Sequence, residues 1–189
     1  MMLYRFCIHT VAFILFLTGT ASLLGSDLKE EKEKDRIRTL VKEKFCEGEL
    51  DLNKETIGDN GLNILCDEIS NLEVKKLSLY NTYITEKSME KFGQTLSKNK
   101  NIKIVNLGEN NLTDNGLKTL SLYLKNSGIE EISFYDTGLS DKSIDSLKEI
   151  IWNNTCLTKL WILNNTITKN GFRDLDNACQ KYDRDLTIR

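Results

Sequence analysis

No proline occurs anywhere in the 189 residues, and the single histidine, His9, lies in the first ten. Without histidine beyond that point the chain lacks the commonest general base and metal ligand, which excludes Ser-His-Asp and Cys-His nucleophile schemes and histidine-bearing zinc sites. A glycine-rich phosphate loop is missing as well: Gly116-Leu117-Lys118-Thr119 has no earlier glycine at the required spacing. Twenty-six basic residues stand against 28 acidic ones, interspersed rather than blocked. There is no basic stripe for phosphate, so nucleic acid is excluded as the expected ligand. No cofactor and no metal are expected, and no enzymatic activity.

What is present is repetition. Leu77-Ser78-Leu79-Tyr80-Asn81-Thr82-Tyr83-Ile84 returns as Val105 to Leu112, as Ile132 to Leu139 and as Leu160 to Ile167. Anchored on Leu52, Leu79, Leu107, Phe134 and Ile162, the spacing is 27, 28, 27 and 28 residues. The apolar-polar alternation at Leu77, Ser78 and Leu79 has the period of a short strand with one buried face. Between lines a second apolar set recurs at steps of three and four: Leu62, Leu65, Ile69; Met89, Phe92, Leu96; Leu117, Leu120, Leu124; Ile144, Leu147, Ile151; Phe172, Leu175, Cys179. Each trio forms one stripe of a helix. Thr85, Thr113, Ser140 and Thr168 stand where helix N-caps are needed, three of them followed by Glu86, Asp114 and Asp141.

The full pattern, LxxLxLxxNxI followed by a polar turn and a helix, resembles leucine-rich repeats of the ribonuclease-inhibitor-like type over residues 47 to 183. The resemblance implies an α/β fold: a right-handed βα solenoid, a short arc of about five repeats with strands lining the inner face. It also implies that Asn110 and Asn165, with Thr82 and Thr137 as substitutes, satisfy buried backbone groups between neighbouring turns; Glu55 stands at this place in the first copy.

Residues 1–26 carry Arg5, a mostly apolar run from Val11 to Leu24, and the small residues Gly19-Thr20-Ala21-Ser22. They read as a secretory signal peptide, with an uncleaved anchor as the alternative. Cleavage would leave a secreted or extracytoplasmic chain with three more acidic than basic residues and no membrane segment. Residues 27–46 read as a charged linker or frayed helix start, Asp27 to Asp35, and a capping helix with Ile37, Leu40, Val41 and Phe45 on one face and no strand of its own. Residues 47–189 form the repeat domain, with Asp185 to Ile188 beginning a sixth strand.

Four cysteines follow the signal segment. Cys46 with Cys66 and Cys156 with Cys179 is the local pairing, but free buried thiols are the expected state because Cys179 fills an apolar helix slot. Sequons stand at Asn111, Asn153 and Asn164.

Function then falls to side chains pointing off the strand face. Tyr80, Tyr135, Trp161 and Leu163 make an aromatic and apolar strip, rimmed by Glu109 and Asp136, suited to binding a protein partner. Trp152 reads instead as packing against the next repeat. Two other readings stay open: an intracellular GTPase-activating or regulatory repeat protein, and a carbohydrate or envelope hydrolase.

Overall fold

A computed structural model describes residues 26–182 and 185–189. The described residues divide into two units, residues 26–36 and the residues from 37 onward. The expected signal segment lies outside the described residues except for Ser26. Among the described residues, no helix is long and apolar enough to cross a membrane.

In the first unit, residues 26–36 are helical, the helix start of the two readings of this segment. The charges that give them a solvated composition also pair at helical spacing, Glu30 with Lys34 at 2.7 Å and Glu33 with Arg36 at 2.6 Å.

In the second unit, residues 37–44 (α1) are helical and bury Ile37 and Val41. Phe45, expected to continue that helix face, instead opens a strand. β1 (Phe45–Cys46) pairs antiparallel with β2 (Glu49–Asp51). Glu47 and Gly48 both adopt left-handed φ, 51° and 86°, the geometry that reverses a hairpin in two residues. The capping segment therefore does own a strand, because Gly48 lets the chain turn back at once.

Five more strands follow: β3 (Lys76–Ser78), β4 (Ile104–Asn106), β5 (Glu131–Ser133), β6 (Lys159–Trp161) and β7 (Thr187–Ile188). They lie in chain order in one sheet and are parallel from β2 onward. β7 is the strand expected at Asp185 to Ile188. The register places Leu50, Leu77, Val105, Ile132, Leu160 and Ile188 side by side, so one apolar row runs through six strands. Each parallel connection carries a helix: α2 (Gly58–Glu68), α3 (Met89–Lys98), α4 (Thr113–Leu124), α5 (Ile144–Asn153) and α6 (Lys169–Lys181). Their trios are buried in α2 to α5, with Ile69 in a 3-10 turn just past α2. In α6 Phe172 and Cys179 are only partly covered, since no further helix packs on them among the described residues.

The polar ladder works as the resemblance implies. Asn110 Oδ1 accepts from the Thr82 and Ile84 amides at 3.0 and 3.1 Å, and its Nδ2 donates to the carbonyls of Leu79, Leu107 and Gly108. Asn165 serves Thr137, Leu139, Phe134, Ile162 and Leu163 in the same way. The hydroxyls of Thr82 and Thr137 turn back on Leu79 and Phe134 of their own line. One Asn thus serves two units, and glutamate in the first copy is free to pair with Lys44 at 3.1 Å.

The first four turns between strand and helix come in two alternating kinds, and the fifth, at Asn164, has a single left-handed residue. Lys54, Asn81, Glu109, Asp136 and Asn164 all have left-handed φ, between 52° and 63°. A second left-handed residue comes four positions later at Gly58 and Thr113, or two positions later at Tyr83 and Gly138. This alternation corrects the N-cap assignment. Thr85 and Ser140 cap short 3-10 turns, Glu86–Ser88 and Asp141–Ser143, and Thr168 caps α6. Thr113 caps nothing: it is the first residue of α4, at φ 58°, after Leu112. Asp59 and Asp114, from units of one kind, each hold the next unit of the other kind. Asp59 accepts from the Thr85 amide and hydroxyl at 2.8 and 2.6 Å and from Ser88 Oγ at 2.7 Å.

Candidate functional site

Three residues per strand and the turn that follows generate four rows of side chains across the sheet. The first reads Glu49, Lys76, Ile104, Glu131, Lys159, the next Asp51, Ser78, Asn106, Ser133, Trp161. Two residues on, repeat spacing aligns Asn53, Tyr80, Gly108, Tyr135, Leu163, and beyond them the left-handed turn residues Lys54, Asn81, Glu109, Asp136, Asn164. The rim residues Glu109 and Asp136 thus occupy backbone positions that Asn and Asp tolerate best, and Glu109 is the poorly suited one.

Tyr80 and Glu109 come together: the phenol donates to Glu109 Oε1, and Asn81 Nδ2 donates to the other oxygen at 3.2 Å. The hydrogen bond to Glu109, some burial and the nearby acids push the Tyr80 hydroxyl up to about 12, so it stays a donor at ordinary pH. The ring lies over Gly108. A Cβ there would stand 3.0 Å from Tyr80 Cδ2 and 3.2 Å from the Tyr135 carbonyl oxygen. Glycine in this row therefore opens the space between two tyrosine positions. Tyr135 Oη accepts from Asn164 Nδ2 at 2.6 Å, so the third sequon asparagine is built into the face.

Trp161 sits one row lower and joins Glu131 rather than the tyrosines, its Nε1 donating to Oε1 at 3.0 Å. Glu131 also pairs with Lys159 at 3.0 Å. Sequence alternation missed Glu131 as a site residue, although it lies two positions before Ser133 and so on the same face. Asn53 in the row above reaches across to the next strand: its Oδ1 accepts from Ser78 Oγ at 2.6 Å and the Tyr80 amide at 2.9 Å, and Ser78 is buried. Leu163 is 48% exposed and Asp136 is exposed. A groove of about 440 Å³ opens beside the strip, lined by Glu109, Asn110, Asn111, Asp136, Thr137 and Gly138.

Away from the strands, Trp152 is 59% exposed yet stacks on Tyr182 at the end of α6, with ring centroids 4.9 Å apart and planes at 11°. It thus contacts the next repeat, as expected. Among the described cysteines, Cys66 is buried and Cys179 partly so, but Cys46 and Cys156 are exposed. The expectation of buried thiols fails for these two because each lies on a surface segment just ahead of a strand, outside the helix stripe.

No family model matches the chain. NACHT, LRR and PYD domains-containing protein 3 of Bos taurus is 30% identical over 129 residues, 66% of this chain and 12% of that protein. The Homo sapiens protein of the same name is 28% identical over 129 residues. NACHT, LRR and PYD domains-containing protein 13 of Homo sapiens is 27% identical over 135 residues, 70% of this chain. The chain spans only 12 to 13% of the length of these relatives. Among solved structures, Leiomodin-1 Actin-Binding Site 2 superposes with a TM-score of 0.60 at 19% identity, over 80% of this chain and 88% of that one, a likeness of fold alone. The repeated line and these relatives together point to a family related to leucine-rich repeat proteins.

Proposed function

We propose that residues 47–189 are a leucine-rich repeat solenoid of the ribonuclease-inhibitor-like type that binds a protein partner through its strand face and performs no chemistry itself. One observation carries the reading. The buried positions of successive lines are interchangeable apolar residues, whereas the slot above them reads Tyr80, Gly108, Tyr135, Leu163, with Trp161 one row below. Core packing does not require tyrosine or leucine there, and the two tyrosines are held in place by neighbours on the same face. The alternation of Asn110 and Asn165 with Thr82 and Thr137 supports the ribonuclease-inhibitor-like type.

Affinity capture with the repeat domain tests it, using Tyr80→Ala, Tyr135→Ala, Trp161→Ala as a combined control. A partner recovered by the natural face and lost by the triple variant supports the reading, and equal recovery by both baits removes it.

The setting is a separate matter. Residues 1–26 favour export, while similarity to relatives that carry NACHT and PYD domains favours an intracellular regulatory protein, and the second is the better supported. Fractionation of the full-length chain, with N-terminal sequencing of the product, decides it: an intact N-terminus inside the cell fits regulation, and a processed one outside fits export.

A further inference from the structure

The charges on the strand face are not evenly matched. In its first row Glu49 pairs with Lys76 at 3.1 Å and Glu131 with Lys159 at 3.0 Å. Above them Asp51, Glu109 and Asp136 have no lysine or arginine within ion-pair distance among the described residues. One basic side chain, Lys54, stands in the turn row, at the far end beside β2. Two of the unmatched acids, Glu109 and Asp136, line the same groove of about 440 Å³. Glu109 is held by Tyr80 and Asn81, whereas the exposed Asp136 carboxylate makes no hydrogen bond or ion pair among the described residues. Tyr80, packed against Gly108, and Tyr135 supply ring surface next to that groove.

We propose that this face receives a lysine- or arginine-bearing segment of a partner protein, its cationic heads in the groove against Asp136 and Glu109 and its aliphatic stems over Tyr80 and Tyr135. The proposal rests on the binding reading above and names the chemistry of the partner. An acid beside an aromatic ring attracts a cation twice, through the carboxylate and through the ring face, while the stem covers apolar surface. An acidic or purely apolar segment would leave the carboxylates desolvated and unpaired, which disfavours it. The helix-side recess around Cys66, Ser70, Gln94 and Thr95 offers no unmatched acid: its Asp67 already pairs with Lys91 at 2.8 Å, and Lys98 and Lys100 line it too.

The probe is a short fluorescent peptide alternating arginine with glycine and leucine, compared with the same peptide carrying glutamate for arginine, titrated against the full chain by anisotropy. Saturable binding of the basic peptide alone is expected, weakened about fivefold by Asp136→Lys and further by added Glu109→Lys. Salt raised from about 0.05 to 0.5 M should weaken it as well. Asp145→Lys, on α5, should leave it unchanged. Equal binding of both peptides overturns the proposal, as does an Asp145→Lys effect equal to that of Asp136→Lys. If the aromatic triple variant loses a captured partner that the charge reversals retain, the basic-partner inference fails and the binding face stands. If neither set of variants matters, both fail.

Discussion

Asp114 accepts hydrogen bonds from the backbone amide of Ser140 at 2.8 Å and from its hydroxyl at 2.6 Å, reaching one full repeat forward. It also accepts from Ser143 Oγ. Burial on its own would raise this carboxyl, but the bonds from Ser140 and Ser143 outweigh it and hold the pKa below the ordinary aspartate value. Asp59 is held down in the same way by Thr85 and Ser88. A carboxyl whose folded pKa is depressed adds stability above its unfolded pKa and loses it as pH falls through the folded value. The melting temperature should therefore decline as pH drops below about 4. Asp59→Asn with Asp114→Asn should melt lower at neutral pH and show a shallower acid decline; an unchanged slope would remove these two residues as its source.

Asn110 is buried and makes five side-chain hydrogen bonds to the backbones of two lines or, through Thr82, to a hydroxyl besides. Truncation to alanine leaves several enclosed amides and carbonyls without partners, at about 1–3 kcal/mol for each one that water cannot reach. Asn165 does the same task nearer solvent. Urea unfolding should show Asn110→Ala costing about 3 kcal/mol or more, and Asn165→Ala clearly less.

The lines and trios were legible because burial imposes periods of two and three to four on apolar residues, and Leu77, Leu79, Phe92 and Leu96 obey them without exception. The ladder role of Asn110 was legible through the resemblance, which implies an asparagine at that place in the line. The two kinds of turn were not. Thr85 and Thr113 look alike in the line, but the left-handed residue of their turns falls at Tyr83 in one and at Thr113 itself in the other. Nor could alternation foresee that Trp161 would reach Glu131 or that Ser78 would vanish beneath Asn53, since such contacts across neighbouring strands depend on rotamers rather than on spacing.

Gly93 on α3 lies against Tyr123 on α4: a Cβ placed there would stand 2.5 Å from Tyr123 Cδ2. Neither the helix backbone nor the packed ring yields that distance cheaply. Gly93→Ala should destabilise the fold by about 1–3 kcal/mol in spite of alanine's better helix propensity. Combined with Tyr123→Ser, which removes the ring, the same alanine should become neutral or stabilising. A double-mutant cycle that shows simple additivity would disprove this account.

Thr113 is a β-branched residue at φ 58°, in the place where the matching unit has Gly58 at φ 63°. Such a conformation costs a non-glycine residue about 1–3 kcal/mol, more than glycine's extra unfolded-state entropy at an equivalent site. What threonine gains is a hydroxyl bond to Glu86, made at the surface. Thr113→Gly should therefore raise stability by about 0.5–1 kcal/mol in thermal or chemical unfolding. A loss of stability would mean that the link to Glu86 matters more than the strain.

The four cysteines should differ in reactivity by their place in the repeat. Cys46 and Cys156 occupy equivalent exposed positions ahead of β2 and β6 and should be titrated at once by a thiol reagent. Cys179 is half-covered on the last helix and should follow slowly. Cys66 is sealed between α2 and its neighbours, and burial pushes its thiol up to about 11, outweighing the hydrogen bond with Thr95 and the nearby Lys91. Reaction needs both access and the thiolate, and Cys66 has neither until the fold opens. Its labelling rate should then follow unfolding, rising with urea in step with the loss of helix signal. Labelling of Cys66 as fast as Cys46 in native buffer would show that the α2 to α3 packing is far looser than its buried trios require.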